Sequence, residues 1–137
     1  MIRVTVDTNV LISATFWSGD SEKIIELVEK GEIELVLSVA ILREYAEVLQ
    51  YKEIQDKIRD KNLRIRRSIQ KIASISICTY PKEKVHAIEE DTDDNRILEC
   101  AIAGNVDYLI TQDKHLLKLA EYQGIKIITP KELLKKI

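Results

Sequence analysis

Short apolar runs alternate along the chain with longer stretches in which apolar residues recur at helical spacing. Five runs rich in β-branched residues are typical of strands: Ile2–Val6, Ile33–Leu37, Ile75–Cys78, Tyr108–Ile110 and Ile125–Ile128. The stretches between them predict helices over Ser21–Lys30, Val39–Gln50, Lys52–Asp60, Leu63–Ala73, Asp94–Ala103, Lys114–Tyr122 and Lys131–Lys136. This alternation predicts an α/β fold, with helices in layers on both sides of a central, mainly parallel five-stranded sheet.

Length and hydropathy set the broad class of protein. The chain has 137 residues, of which 45% are hydrophobic, enough for one core, so we expect a single domain over residues 1–137. No apolar run approaches the roughly 20 residues that cross a bilayer, and the first residues do not have the pattern of an export signal. We therefore expect a soluble, cytoplasmic protein that is not bound to a membrane. Cys78 and Cys100 form no CxxC pair, and we expect two buried free thiols.

The net charge of −2 hides two stretches of opposite sign. Residues 57–71 carry seven basic residues against one acid, a local net charge of +6. Residues 83–99 carry seven acids against two basic residues, a local net charge of −5. Basic runs of this kind are either solvated helical surface or a contact for a nucleic-acid backbone. If the second interpretation holds, the contact residues are Arg64, Arg66, Arg67 and Lys71.

Two acids follow predicted strands. Asp7 comes directly after the strand Ile2–Val6, and Asp113 lies just beyond the run Val106–Ile110. In open parallel sheets, ligands bind beyond the carboxyl ends of strands, so both acids are candidate site residues if the two strands are neighbours. Each acid could instead simply cap the helix that follows it, which is a common use of Asp.

Two further acids lie on or beside the apolar face of a predicted helix. Asp94 stands three, four and seven residues before Ile97, Leu98 and Ala101, so its carboxylate falls on the face that the helix buries. Glu44 lies at the edge of the apolar stripe of its helix. Isolated carboxylates in such places are costly to bury unless they are hydrogen-bonded, paired or bound to a metal.

Asp7, Glu44, Asp94 and Asp113 therefore form a candidate site with oxygen ligands only. Such ligands suit Mg²⁺ or Mn²⁺ rather than Zn²⁺, and we interpret the two histidines of the chain as surface or capping residues. Hard divalent cations held by carboxylates commonly act on phosphates. The chemistry indicated is phosphoryl transfer or hydrolysis of a phosphodiester.

The same residues stand in motifs that resemble the PIN domain, and in particular the prokaryotic PIN proteins grouped as toxins of toxin–antitoxin systems, akin to VapC. The matching segments, in order, are Val6-Asp7-Thr8-Asn9-Val10-Leu11, Ser38 with Glu44, Asp91-Thr92-Asp93-Asp94-Asn95, and Thr111-Gln112-Asp113-Lys114-His115-Leu116-Leu117. The resemblance spans nearly the whole chain. It implies a central parallel sheet and a Mg²⁺- or Mn²⁺-dependent endoribonuclease that cleaves RNA, often as a homodimer and sometimes silenced by a small antitoxin protein.

The resemblance also assigns residues. It implies that Asp7, Glu44, Asp94 and Asp113 are the catalytic, metal-binding quartet, and that the supporting polar groups are Asn9, Asn95 and Thr111. Relatives often have Asp-Pro-Asp-Asp where this chain has Asp91-Thr92-Asp93-Asp94. This departure leaves open whether Asp91 or Asp93 assists the metal.

Other classes of protein explain the sequence less well. A phosphatase that forms an aspartyl-phosphate would use Asp7 as nucleophile, but it usually has a second Asp two residues later, where this chain has Asn9. A dinucleotide-binding domain is disfavoured because the four glycines form no GxGxxG. A PIN-fold module that binds RNA or protein without turnover is the remaining alternative.

Overall fold

The computed structural model of the protein describes residues 1–60, 64–88 and 92–137, without the side chains of residues 60, 92 and 93. Within these residues the strands are β1 (Arg3–Val6), β2 (Glu34–Ser38), β3 (Ser76–Thr79), β4 (Tyr108–Ile110), β5 (Glu121–Tyr122) and β6 (Ile125–Ile128). The helices there are α1 (Thr8–Phe16), α2 (Asp20–Glu29), α3 (Val39–Val48), α4 (Lys52–Asp60), α5 (Ile65–Ile75), α6 (Thr92–Ala103), α7 (Lys114–Leu119) and α8 (Pro130–Lys136).

The strands form one sheet in the order β3-β2-β1-β4-β6-β5. All neighbouring pairs are parallel except β5 with β6. The predicted α/β fold with a mainly parallel sheet is therefore confirmed. The described residues form six strands rather than the five expected from the sequence, because the chain adds a short antiparallel strand at one edge.

The additional strand also shortens a predicted helix. The helix expected over Lys114–Tyr122 ends at Leu119, because Ala120 adopts a positive φ of 60° that turns the chain out of the helix. Residues 121–122 then pair with β6 across a two-residue turn in which Gln123 and Gly124 have φ of 49° and 85°. Positive φ at both central residues suits a tight hairpin, whose twist matches that of the flanking strands.

The core lies on both faces of the central strands. Val4 and Val6 on one face of β1 and Thr5 on the other are fully buried, and Leu35, Val36 and Leu37 of β2 are fully buried as well. Helix α6 covers the face that carries Thr5, since the Thr5 hydroxyl lies 3.5 Å from the Cys100 sulfur. Strands buried on both faces are expected when helices cover a parallel sheet on both sides.

The two cysteines of the chain differ in exposure. Cys100 is buried, but Cys78 is exposed, so the expectation of two buried thiols was wrong for Cys78. The reason is that β3 lies at the edge of the sheet, where its side chains have neighbours on one side only.

In the part of the chain that the structure describes, no helix has both the length and the apolar character needed to span a bilayer.

Candidate active site

The two acids that follow strands come together because their strands are neighbours. Strand β1 pairs with β4 in parallel, with Val6 opposite Ile110. The Asp7 N–H extends this ladder by donating to the Ile110 carbonyl over 3.2 Å. The expected adjacency of the two strands is thus confirmed, and it places Asp7 and Asp113 at the same edge of the sheet.

Thr111 connects the two acids through its hydroxyl group. The hydroxyl donates a hydrogen bond to Asp7 Oδ2 and accepts one from the Asp113 N–H at 2.9 Å. The Thr111 side chain is fully buried, and its own N–H donates to the Ile128 carbonyl of β6. Thr111 thus fixes the Asp7 carboxylate and the Asp113 backbone relative to the sheet.

Asp7 and Asp113 also cap the helices that follow them, as the alternative interpretation predicted. Asp7 Oδ1 accepts from the Val10 N–H at 2.9 Å at the start of α1. Asp113 Oδ1 accepts from the N–H groups of His115 and Leu116 at 2.8 and 3.3 Å at the start of α7. A carboxylate has about four lone-pair sites, so a capping role does not prevent it from binding a cation as well.

Glu44 and Asp94 reach the same place from α3 and α6. Asp94 is 8% exposed, and Ile97, Leu98 and Ala101 are buried beside it, as the helical spacing predicted. Helix α6 begins at Thr92 rather than at Asp94. Glu44 is partly buried on α3, whose first turn is capped by the Ser38 hydroxyl.

These elements enclose a cleft of about 40 Å³. Its described lining combines the four candidate acids with two small polar residues and two apolar ones: Asp7, Glu44, Asp94, Asp113, Thr8, Asn9, Ile41 and Ile97. The lining contains four acids and no basic side chain. Sequence reasoning missed Thr8, Ile41 and Ile97, and only the position of Thr8 directly after Asp7 could have indicated that it lines the site.

The electrostatics of the cleft are those of crowded negative charge. Burial raises the pKa of Asp7 above its ordinary value of 3.8, and the charge of Asp113 raises it further. The hydrogen bonds from Thr111 and from the Val10 N–H act in the opposite direction. A cation placed among these groups would reduce the repulsion and favour the ionised form of Asp7.

The donor groups fit a hard divalent cation in kind, since every polar group that lines the cleft carries oxygen ligands of the type that Mg²⁺ and Mn²⁺ prefer. The buried Thr8 hydroxyl has no hydrogen-bond partner within the described ranges, so a ligand or water in the cleft would satisfy it. No three His, Cys, Asp or Glu side chains of those ranges stand close enough to form a ready ligand set. Ligation by three of the acids at once therefore requires side-chain movement.

The supporting residues have different positions. Asn9 lines the cleft, whereas the Asn95 amide is engaged by the backbone of Ile88, whose N–H donates to Asn95 Oδ1 at 2.9 Å and whose carbonyl accepts from Nδ2 at 2.5 Å. The Asn95 side chain thus holds the backbone of Ile88 in place. Asp91 and the side chain of Asp93 lie outside the described residues.

The predicted contact residues of the basic stretch differ in whether an acidic side chain already pairs with them. Arg64, Arg66 and Arg67 are exposed near the start of α5, and the described residues form no ion pair with them. Lys71 lies 3.0 Å from a Glu29 carboxylate oxygen, so its charge is already compensated. The first three remain the better candidates for contact with a polyanion.

Comparison with known proteins gives one finding. The family model described as PIN domain matches residues 3–115, which include all four candidate acids. No curated protein is similar enough in sequence to match the chain.

Proposed function

The chain belongs to the PIN domain family, whose members are generally nucleases that use divalent metals, and we propose that it is a Mg²⁺- or Mn²⁺-dependent endoribonuclease. The observation that carries the proposal is the single cleft lined by Asp7, Glu44, Asp94 and Asp113. Glu44 and Asp94 come from α3 and α6, and Asp7 and Asp113 follow β1 and β4. The cleft lies at the carboxyl ends of these strands, where ligands of open parallel sheets bind.

The proposed chemistry is hydrolysis of an RNA phosphodiester. Asp7, Glu44, Asp94 and Asp113 would hold the cation, which when bound lowers the pKa of water and stabilises charge on phosphate oxygens. Thr111 and the Val10 N–H orient the Asp7 carboxylate before any ligand arrives. Ile41 and Ile97 supply the apolar part of the cleft lining.

The substrate backbone needs positive charge that the cleft itself does not have. We assign this role to Arg64, Arg66 and Arg67, because they are exposed and lie outside the ion pairs of the described residues. Each phosphate contact that is lost should weaken binding at low salt and reduce the salt dependence of binding by a slope of about 0.7 for a single strand. Neutralising the three arginines, with Lys71→Gln as a comparison, tests this assignment by RNA binding at several salt concentrations.

The decisive assay for catalysis uses purified protein and labelled single-stranded RNA with Mn²⁺, Mg²⁺ or EDTA. We expect cleavage with either metal and none with EDTA. Glu44→Gln should lose activity, while Glu47→Gln should keep it, because Glu47 lies on the same helix but is exposed. Cleavage that survives EDTA, or that persists in both Asp7→Asn and Asp94→Asn, would contradict the proposal.

Metal binding is measured separately by titration calorimetry with Mn²⁺. We expect the wild type and Glu47→Gln to bind the ion, and Asp94→Asn to bind it at least tenfold more weakly. Metal binding without turnover on any RNA would favour the alternative of a catalytically silent binding module.

The resemblance of the motifs to prokaryotic PIN toxins supports a narrower biological role, that of the toxin in a type II toxin–antitoxin pair controlled by a small antitoxin. Induced expression in a bacterial host should then arrest growth, and Asp94→Asn should relieve the arrest at equal protein level. Normal growth with active, abundant wild-type protein would contradict the toxin role but leave the nuclease proposal intact.

A further inference from the structure

Trp17 is a large aromatic residue that the fold leaves about half exposed. It ends α1 as the C-cap residue, and 48% of its surface is accessible. The two residues that follow, Ser18 and Gly19, are small and exposed. The Trp17 ring meets the buried ring of Phe16 edge to face, with the centroids 6.0 Å apart. The indole is therefore held by the core on one side and accessible to a ligand on another.

A positive charge lies directly against this ring. Lys57 Nζ, on α4, is 4.5 Å from the centroid of the Trp17 ring, which is within the range of a cation–π interaction. Lys57 forms no ion pair with any residue that the structure describes. An apolar protein surface placed on Trp17 would bury this charge without a partner, which is costly. A nucleotide instead supplies a phosphate for the ammonium group and a flat base for the indole.

Helix α1 connects Trp17 with the candidate active site. Asn9 lines the cleft and is exposed, and Ser13 and Trp17 follow it at intervals of four residues. Residues at this spacing are neighbours on the surface of a helix. From Asn9 to Trp17 the helix axis rises about 12 Å, roughly the length of three or four stacked nucleotides. A strand that occupies the cleft can therefore reach Trp17 along α1.

We propose that Trp17 stacks on a base of a single-stranded RNA whose backbone occupies the cleft, and that Lys57 contacts a phosphate of the same strand. The inference rests on the proposed function and adds a base-contact site outside the acidic cleft. Stacking needs a base whose face is not covered by its neighbours in a duplex, so this site selects single strands. Because every base has a π face, the contact tolerates many sequences.

The test uses the indole itself as the probe, because Trp17 is the only tryptophan of the chain. Binding of a labelled single-stranded RNA is measured by anisotropy at low salt with EDTA present, so that metal-dependent cleavage does not interfere. Intrinsic fluorescence is followed in parallel with the unlabelled strand. We expect the RNA to quench Trp17 emission with the same midpoint as the anisotropy. An abasic strand of equal length, which supplies phosphates alone, should not quench it.

Substitutions separate the contribution of the ring from that of the charge. Trp17→Ala should weaken binding about 5- to 150-fold, as expected for the loss of one base stack, whereas Trp17→Phe keeps a ring and should retain most of the affinity. Lys57→Gln should reduce the salt dependence of binding by a slope of about 0.7. Lys136→Gln is the matched control, because Lys136 lies 5.9 Å over the ring of Tyr108, which begins β4 at the end opposite the cleft. Circular dichroism establishes that the variants are folded.

The outcomes distinguish this inference from the proposed function. Trp17→Ala that binds RNA as tightly as the wild type would overturn the base contact, while cleavage with Mn²⁺ would leave the nuclease proposal intact. Unchanged Trp17 emission with saturating RNA, or equal quenching by the abasic strand, would overturn the base contact as well. Emission that responds to protein concentration but not to RNA would assign the indole to a protein contact instead. Quenching by RNA in a protein that cleaves none would support the base contact and contradict the nuclease proposal.

Discussion

Replacement of Thr111 by valine tests the connection between the two strand-end acids. Valine has nearly the shape of threonine, so the substitution removes the hydroxyl group and leaves the packing almost unchanged. It removes the hydrogen bond to the Asp7 carboxylate and leaves the Asp113 N–H without its acceptor. The Thr111 side chain is fully buried, whereas Asp7 and Asp113 are partly buried and line the cleft, so water replaces at most part of the lost hydrogen bonding.

The magnitude follows from these two bonds. A hydrogen bond to a charged group contributes about 1.5–3 kcal/mol and a neutral one about 0.5–1.5 kcal/mol. We therefore expect Thr111→Val to lower the free energy of unfolding by about 2–4 kcal/mol, and Tm by roughly 10 °C for a chain of this size. The measurement is urea and thermal denaturation with EDTA present, so that metal binding does not contribute.

Two controls separate the hydrogen bonds from general effects of the substitution. Thr111→Ser keeps the hydroxyl and should retain most of the stability. Thr5→Val makes the same change at an equally buried threonine whose described partner is the Cys100 sulfur at 3.5 Å, and should cost less than about 1 kcal/mol. A Thr111→Val variant as stable as Thr5→Val would refute the inference that Thr111 fixes the Asp7 carboxylate and the Asp113 backbone in place.

Two further predictions concern the core. Burial raises the pKa of Tyr45 above 10.0, and the hydrogen bond between the Tyr45 and Thr15 hydroxyls opposes the shift. Since the unfolded chain then loses the phenol proton first, the stability contributed by this proton is present below pH 10.0 and falls above it. Urea unfolding should show Tyr45→Phe slightly less stable at neutral pH but less sensitive to alkali, and equal alkaline sensitivity would contradict this. Gly104→Ala should lower the unfolding free energy by about 1–3 kcal/mol, because the added Cβ would lie 2.5 Å from Val36 Cγ1; Gly19→Ala, with no atom within 4 Å, is the control.

The predictable part of the fold is the part that depends on local periodicity. The strands Ile125–Ile128 and Tyr108–Ile110 have the bounds expected from the sequence, because each is a short apolar run between polar residues. Helix α4 also has its predicted bounds. Strand β5 was missed because two residues carry no periodic pattern, although Gln123-Gly124 between apolar residues is a turn signal.

The candidate site was predictable to the level of single acids but not to that of their partners. Asp7 and Asp113 could be selected because they follow strands, and Asp94 because of its place on a helical face. The contacts of Thr111 with Asp7 and of Asn95 with Ile88 could not be predicted from the sequence. They depend on how distant elements pack together or on the path of a loop, and no local pattern specifies either. The exposure of Cys78 depends likewise on strand order, which the sequence pattern does not specify.

The strand order has a consequence for when the protein becomes active during its own synthesis. Strand β1 precedes the other strands of the sheet in the sequence, yet its neighbours are β2 and the much later β4. Under the proposed function, a ribosome-bound chain that ends before Tyr108 lacks both Asp113, one of the four acids of the cleft, and strand β4, which pairs with β1. If the proposed function holds, such a ribonuclease stays inactive beside the messenger that encodes it until β4 and Asp113 have been translated.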